Sequence, residues 1–306
     1  MKTKAFIYII IAGILWGTSG IFVHYLTPYG FTSLQMTAVR GLVSFLGMAI
    51  YAAFKSKSLF NVKLLDLLIF IIPIGITLFS TAFLYYTSMT MTSVSTAVVL
   101  MYMAPVYVMI FSVIFLGERF SKMKLISVAS MLIGCCLVSG IIGGIAFDVW
   151  GIVLGFLSGI SYAIYNIITK IALKGKRNAV TVTLYSFFTM AVIAMSVANP
   201  EDIISKAASN PLPSIPLLIG LGIATFVTPY FLYTLAMRDL PAGTASALGI
   251  IEPMAATIFS VLILGEKLSW LSAIGIVLIL LAVFMLGKAE GSHENTKTLE
   301  NSEEKI

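Results

Sequence analysis

The sequence predicts an all-α integral membrane protein whose ten transmembrane helices form two inverted-topology five-helix repeats. Three observations lead there. Of the 306 residues, 59% are hydrophobic and 10% charged, where a soluble domain carries about a quarter charged residues. The apolar runs are each about twenty residues long, the length a helix needs to cross roughly 30 Å of hydrocarbon. Finally, the stretch Pro105 to Ser121 returns almost unchanged as Pro253 to Ser269, at an offset of 148 residues. The echo holds without a gap back to Phe83-Leu84-Tyr85 and Phe231-Leu232-Tyr233, through Met89/Met237, Thr96/Thr244, Ala97/Ala245 and Leu100/Leu248. A repeat of that length organises the whole fold.

Taken in order, spanning segments are expected at 5–26, 31–54, 64–87, 93–116, 123–142, 149–172, 179–198, 214–236, 242–264 and 270–287. The first follows Met1-Lys2-Thr3-Lys4 and continues past Tyr25 with no small-x-small cleavage site, so it reads as a retained helix and not a signal peptide. Breaks are expected where turn residues gather: Thr27-Pro28-Tyr29-Gly30, Lys55-Ser56-Lys57-Ser58, Gly143-Gly144, Asn199-Pro200 and Asn210-Pro211-Leu212-Pro213. Pro105 and Pro253 are expected to kink their helices, and Pro73 and Pro229 to do likewise. Four-spaced glycines, Gly13/Gly17 and Gly151/Gly155/Gly159, read as close helix contacts. The domains are then 1–142 and 149–287, the two repeats, and 288–306, a polar tail read as disordered and cytoplasmic.

Basic residues orient the chain. Sixteen of the nineteen Lys and Arg fall at helix ends or loops on one side, from Lys2 and Lys4 to Lys297 and Lys305; Lys206 and Lys267 lie opposite, and Arg40 within a helix. The positive-inside rule makes that side cytoplasmic, with both termini. Because each repeat holds five helices, the second copy enters the membrane upside down. Gly117-Glu118-Arg119 and Gly265-Glu266-Lys267 therefore face opposite sides. Inverted repeats are the architecture of many secondary transporters, with the substrate near the midplane between the halves.

Several classes fall away. There is no Walker loop or H-E-x-x-H, and the Gly220-Leu221-Gly222 run sits in an apolar helix with no strand before it. Cys135 and Cys136 are helix neighbours that point apart, so neither a disulfide framework nor a metal site is expected. No cofactor is expected. The expected partners are a small-molecule substrate, the lipid bilayer and protons, with no nucleic acid; the chain is a monomer or a homodimer.

Glu252 carries the most weight, as an acid halfway along the ninth segment, where a charge costs roughly 2.5–3.5 kcal/mol. It must be paired, water-lined or protonated, the requirements of a carboxylate that exchanges protons or meets a cation; the competing reading is a structural ion pair. The first repeat has Ala104 at this place. Arg40 is either a partner of Glu252 or of a substrate carboxylate, or a side chain that snorkels to the interface. Lys170 reads as an interfacial anchor and His24 as a solvated interfacial histidine. Polar-tipped aromatics complete the candidate pathway: Trp16, Tyr85, Tyr86, Tyr102, Tyr162, Tyr165, Tyr230 and Tyr233, with Asn166. About half of the rings named are expected to face it, the rest being core or interfacial belt.

Trp16-Gly17-Thr18-Ser19, Val39-Arg40-Gly41, Ala104-Pro105 running to Leu116-Gly117-Glu118-Arg119, Ser161-Tyr162-Ala163, and Glu252-Pro253 running to Leu264-Gly265-Glu266-Lys267 resemble the ten-helix EamA-type members of the drug/metabolite transporter superfamily. The resemblance reaches to about Leu286. It implies a central cavity built by the first four helices of each half, with the fifth and tenth peripheral. It also implies a secondary transporter working by alternating access, moving an amino acid, an amine or a related metabolite, commonly as an exporter and in some cases proton-coupled. The expected location is a prokaryotic plasma membrane. Two other classes compete: a membrane-embedded lipid enzyme, which needs acids, histidines or cysteines clustered at one interface, and a non-transporting interaction protein, which needs no polar cavity.

Overall fold

A computed structural model describes residues 2–118, 120–140, 148–265 and 267–303, the last stretch from 290 by its backbone only. The break expected at Gly143-Gly144, and Arg119 and Glu266 of the two echoed signatures, lie outside these residues. Ten helices among the described residues are long and apolar enough to cross a membrane. They are α1 Lys2–Tyr29, α2 Ser33–Lys55, α3 Leu64–Met91, α4 Thr96–Leu116, α5 Lys122–Ser139, α6 Val149–Lys174, α7 Ala179–Val197, α8 Pro211–Asp239, α9 Ala242–Leu264 and α10 Trp270–Ala289. Ten crossings return the chain to the face on which α1 begins, here called the terminal face; the other is the far face. The last helix continues as backbone to Glu303, where the sequence predicts a disordered tail from 288; past Ala289 its composition has no apolar face to bury.

The prolines act as their chemistry requires. Lacking an N–H, Pro105 and Pro253 cannot bond to the carbonyl one turn back. The helix stops before each, at Met101 and at Leu248, and restarts at Ala104 and Ile251. The gaps are bridged by tighter bonds, Met103 N to Leu100 O at 3.3 Å and Glu252 N to Gly249 O at 3.0 Å. Pro73 and Pro229 follow π-turns at Leu67–Ile71 and Ile223–Val227, which locally widen the helix. Helix α1 is interrupted at Thr18, whereas α6 is continuous. Asn199 caps a short helix, Pro200–Ser209, that the sequence reading treats as a loop; proline is tolerated at the first helical position. There the Lys206 ammonium, and after it the Gln35 amide, hold the Asp202 carboxyl below the usual carboxylate range.

Packing makes the repeat visible in space. Helix α1 lies against α8 and α9, and its counterpart α6 against α3 and α4; α2 pairs with α7, and α5 with α10. Glycines allow these approaches. A Cβ at Gly17 would lie 2.6 Å from Ala255 Cβ and 2.8 Å from Ala256 N, and one at Gly155 2.8 Å from Ser88 Oγ. Since the obstacle at Gly17 includes backbone, α1 must move to admit a side chain. Gly17→Val is expected to cost about 1–3 kcal/mol, read as a lower midpoint of thermal unfolding in detergent. The α5–α10 pair is equally tight, a Cβ at Gly275 falling 2.7 Å from Gly134 O. This pair stands outside the central helices.

The outer surface is apolar. On α10, Ile274, Val277, Leu281 and Phe284 point outward while Ile279, Ala282 and Leu286 pack inward. Trp150 and Trp270, each exposed at the far-face end of its helix, fit an aromatic belt at a membrane interface.

Candidate functional site

Between the two halves lies a cavity of about 640 Å³, within the roughly 300–1,000 Å³ usual for small-molecule sites. Its lining runs from Lys267, Leu268 and Ser269, exposed at the far-face end of α10, to Leu78, Tyr162 and Tyr230 in the interior. No residue from the terminal-face ends of the helices lines it. The cavity is open to the far face and closed toward the terminal face.

The broken helix of the second repeat places Glu252 there. It sits in the first turn of the half-helix Ile251–Leu264, where the helix dipole favours a negative charge. The carboxylate is partly exposed to the cavity, with the Tyr102 hydroxyl and the Arg40 guanidinium as its electrostatic neighbours. Arg40 does not snorkel. It is 6% exposed and donates to Tyr86 Oη and, at 3.2 Å, to Thr37 Oγ1. Its guanidinium lies 5.3 Å from the Phe226 ring centre and 5.8 Å from that of Tyr86. No carboxylate is within ion-pair distance of it among the described residues. Arg40 Nε, Trp16 Nε1 and Ser246 Oγ are all buried without a hydrogen-bond partner, and all three residues line the cavity. Unpaired buried donors are costly, so such a wall is built to bond something it encloses.

A family model matches residues 3–140 and again residues 149–288, that of the EamA-like transporter family. The chain belongs to the EamA-like transporter family. It is 27% identical over 283 residues to an uncharacterized transporter, YwfM, of Bacillus subtilis (strain 168), a match spanning 92% of this chain and 93% of that one. An uncharacterized transporter of Clostridium kluyveri is 30% identical over 141 residues, 46% of this chain and 44% of its own. A solved structure titled only "Crystal structure of protein" superposes with a TM-score of 0.76 at 17% identity, covering 93% of this chain and 96% of that one. This last likeness speaks to the fold alone. The two matched stretches hold α1–α5 and α6–α10.

Within this EamA-like transporter, the candidate residues separate into two groups. Trp16, Arg40, Tyr85, Tyr86, Tyr102, Tyr162, Tyr230 and Glu252 line the cavity. Tyr165, Asn166 and Tyr233 stand behind its wall. Tyr233 Oη donates to Asn166 Oδ1 at 2.5 Å, and Asn166 Nδ2 donates to Tyr162 O at 2.7 Å. Tyr230 joins the groups, its ring centre 5.1 Å from that of Trp16, 5.9 Å from Tyr165 and 4.6 Å from Phe226. Because Asn166 is fully buried, Tyr233→Phe leaves its carbonyl unpaired. That variant is expected to lose about 1–3 kcal/mol, measured as the thermal midpoint, with Tyr85→Phe at the cavity wall losing less.

Sequence reasoning did not single out Phe226 and Ser246. Phe226 is one aromatic among twenty phenylalanines, picked out only by its place over Arg40. Ser246 lies in the small-residue run Ala242 to Gly249, and a hydroxyl inside so apolar a run was the signal available. Lys170 is not an interfacial anchor: it is 6% exposed and donates to Met237 O at 2.5 Å and Leu240 O at 2.6 Å. His24 is exposed. Among the described residues no three of His, Cys, Asp and Glu gather so as to hold a metal ion.

Proposed function

We propose that the protein is a secondary transporter that moves a small amine- or amino-acid-like metabolite by alternating access, outward and coupled to protons, across a prokaryotic plasma membrane with both termini in the cytoplasm. The observation that carries this reading is the cavity between the repeats, in which one carboxylate, one guanidinium and several unpaired donors face a wall of apolar, aromatic and hydroxyl side chains, with Lys267 at its mouth. Glu252 suits an ammonium group and Arg40 a carboxylate. The rings of Trp16, Tyr162 and Tyr230 suit the apolar body, and a cation over their faces. Proton and ammonium compete for Glu252, so the same group binds substrate and couples it. The one-sided distribution of Lys and Arg supports the orientation, and the bacterial relatives support the membrane assigned. Export is the direction that the family resemblance suggests.

The test is a panel of radiolabelled amino acids and amines presented to proteoliposomes with and without a pH gradient. The reading expects gradient-dependent flux of at least one zwitterionic compound. Flux of none, with no compound raising the unfolding temperature, defeats it.

A further inference from the structure

Beneath the cavity floor is a second, smaller void of about 10 Å³, room for about one water. Tyr165 and Thr169 of α6, Thr183 and Ser186 of α7, and Tyr230 and Thr234 of α8 are in its wall. Thr183 Oγ1 and Ser186 Oγ are buried with no hydrogen-bond partner. Two orphaned hydroxyls on one void are hard to explain as core packing, because each forfeits the water it bonds when exposed.

The repeat gives them a meaning. Helices α1 and α6 align at an offset of 146, setting Trp16 on Tyr162. Helices α2 and α7 share that offset, since their capping residues are Thr32 and Asn178. Helices α3 and α8 align at 148 through Phe83-Leu84-Tyr85 and Phe231-Leu232-Tyr233. On these offsets the six wall residues are the images of Ser19, Val23, Thr37, Arg40, Ala82 and Tyr86. Five of those line the open cavity, and the sixth, Thr37, holds Arg40. The small void is therefore the inverted image of the open half of the pathway.

What closes it lies at the terminal-face ends of α6, α8 and α9. Lys170 reaches from α6 to the carbonyls of Met237 and Leu240 at the end of α8, and the Glu118 carboxylate accepts from Ala242 N, the start of α9, at 2.9 Å. Together they fasten the α8–α9 hairpin from both sides. The image of Lys170 is His24, which is exposed on the open side. We propose that the hydroxyl-lined void is the closed arm of the translocation pathway, sealed by the Lys170 and Glu118 latch and hydrated when that latch releases. The inference rests on the alternating-access reading and adds an asymmetry: the arm open to the far face carries Arg40, whereas the image position in the other holds the neutral Ser186.

The test uses single cysteines in the full chain after Cys135→Ala and Cys136→Ala, in vesicles of either orientation, with a membrane-impermeant charged methanethiosulfonate reagent. Ala82→Cys is expected to label from the far face, and Ser186→Cys to label slowly and only from the terminal face. Adding Lys170→Met should raise the Ser186→Cys rate at least about tenfold and lower that of Ala82→Cys. Lys170→Arg, which keeps charge and donors, should leave both near their starting rates. Should Lys170→Met not fold, Glu118→Ala loosens the same hairpin and carries the same expectation. A Ser186→Cys rate unchanged by a folded latch variant overturns the proposal, as does labelling of Ser186→Cys from the far face. Those results in a protein that still transports count against the arm alone. A labelling swap in a protein that moves no compound supports the arm and counts against the transport reading.

Discussion

Glu252→Gln is expected to weaken substrate binding about tenfold to a hundredfold and to abolish pH-gradient-driven flux. Glutamine keeps the shape of the side chain and cannot ionise, so a loss on this change isolates the charge. The magnitude follows from a charged hydrogen bond of about 1.5–3 kcal/mol, at about 1.4 kcal/mol per factor of ten. The pH dependence has a definite sign. An ammonium group binds the ionised carboxylate, so wild-type affinity rises with pH through the titration of Glu252 and falls as protons reclaim it. In Glu252→Gln the affinity is low and flat with pH. The position supports the charge: the residue sits in the first turn of a half-helix, whose N-terminus favours the anion. Binding measured by calorimetry across pH reads both features. A steep pH dependence surviving in the Gln variant would assign the proton elsewhere.

The ten helices and their inversion were legible because two independent signals, a repeat at a fixed offset and a one-sided distribution of basic residues, demand the same topology. The proline breaks were legible for a chemical reason, the missing N–H. So was Glu252, since a lone acid in a long apolar run has few bland explanations. What could not be read was which copy of a repeated residue faces the cavity. Tyr85 and Tyr233 occupy matching positions in the same Phe-Leu-Tyr triplet, yet Tyr85 lines the cavity while Tyr233 is buried on Asn166. The symmetry is one of sequence, and the conformation breaks it, opening the cavity to one face and not to the other. Lys170 was misjudged for a related reason. Near a helix end a lysine usually finds water, and only the fold brings the carbonyls of Met237 and Leu240 to it.

Arg40→Gln is expected to discriminate between substrates that share an amine and differ in a carboxylate. If the guanidinium grips the carboxylate, a zwitterion loses about tenfold to a hundredfold in affinity, and the corresponding amine, lacking that group, loses little. In a cycle of the two protein forms against the two ligands, the coupling should be about 1.5–3 kcal/mol. Arg40→Lys should lie between. The guanidinium already spends one nitrogen on Tyr86 and Thr37 while Nε is unpaired, and an ammonium cannot hold that side of the network and present a planar fork to a ligand as well. The stacking of Arg40 on Phe226 makes the same point from another direction, since a lysine stem would not fill the space the guanidinium plane covers. The ligand pair separates a structural role from a binding one. Were Arg40 only a strut between α2 and α3, Arg40→Gln would weaken both ligands equally. A binding role confines the loss of affinity to the zwitterion.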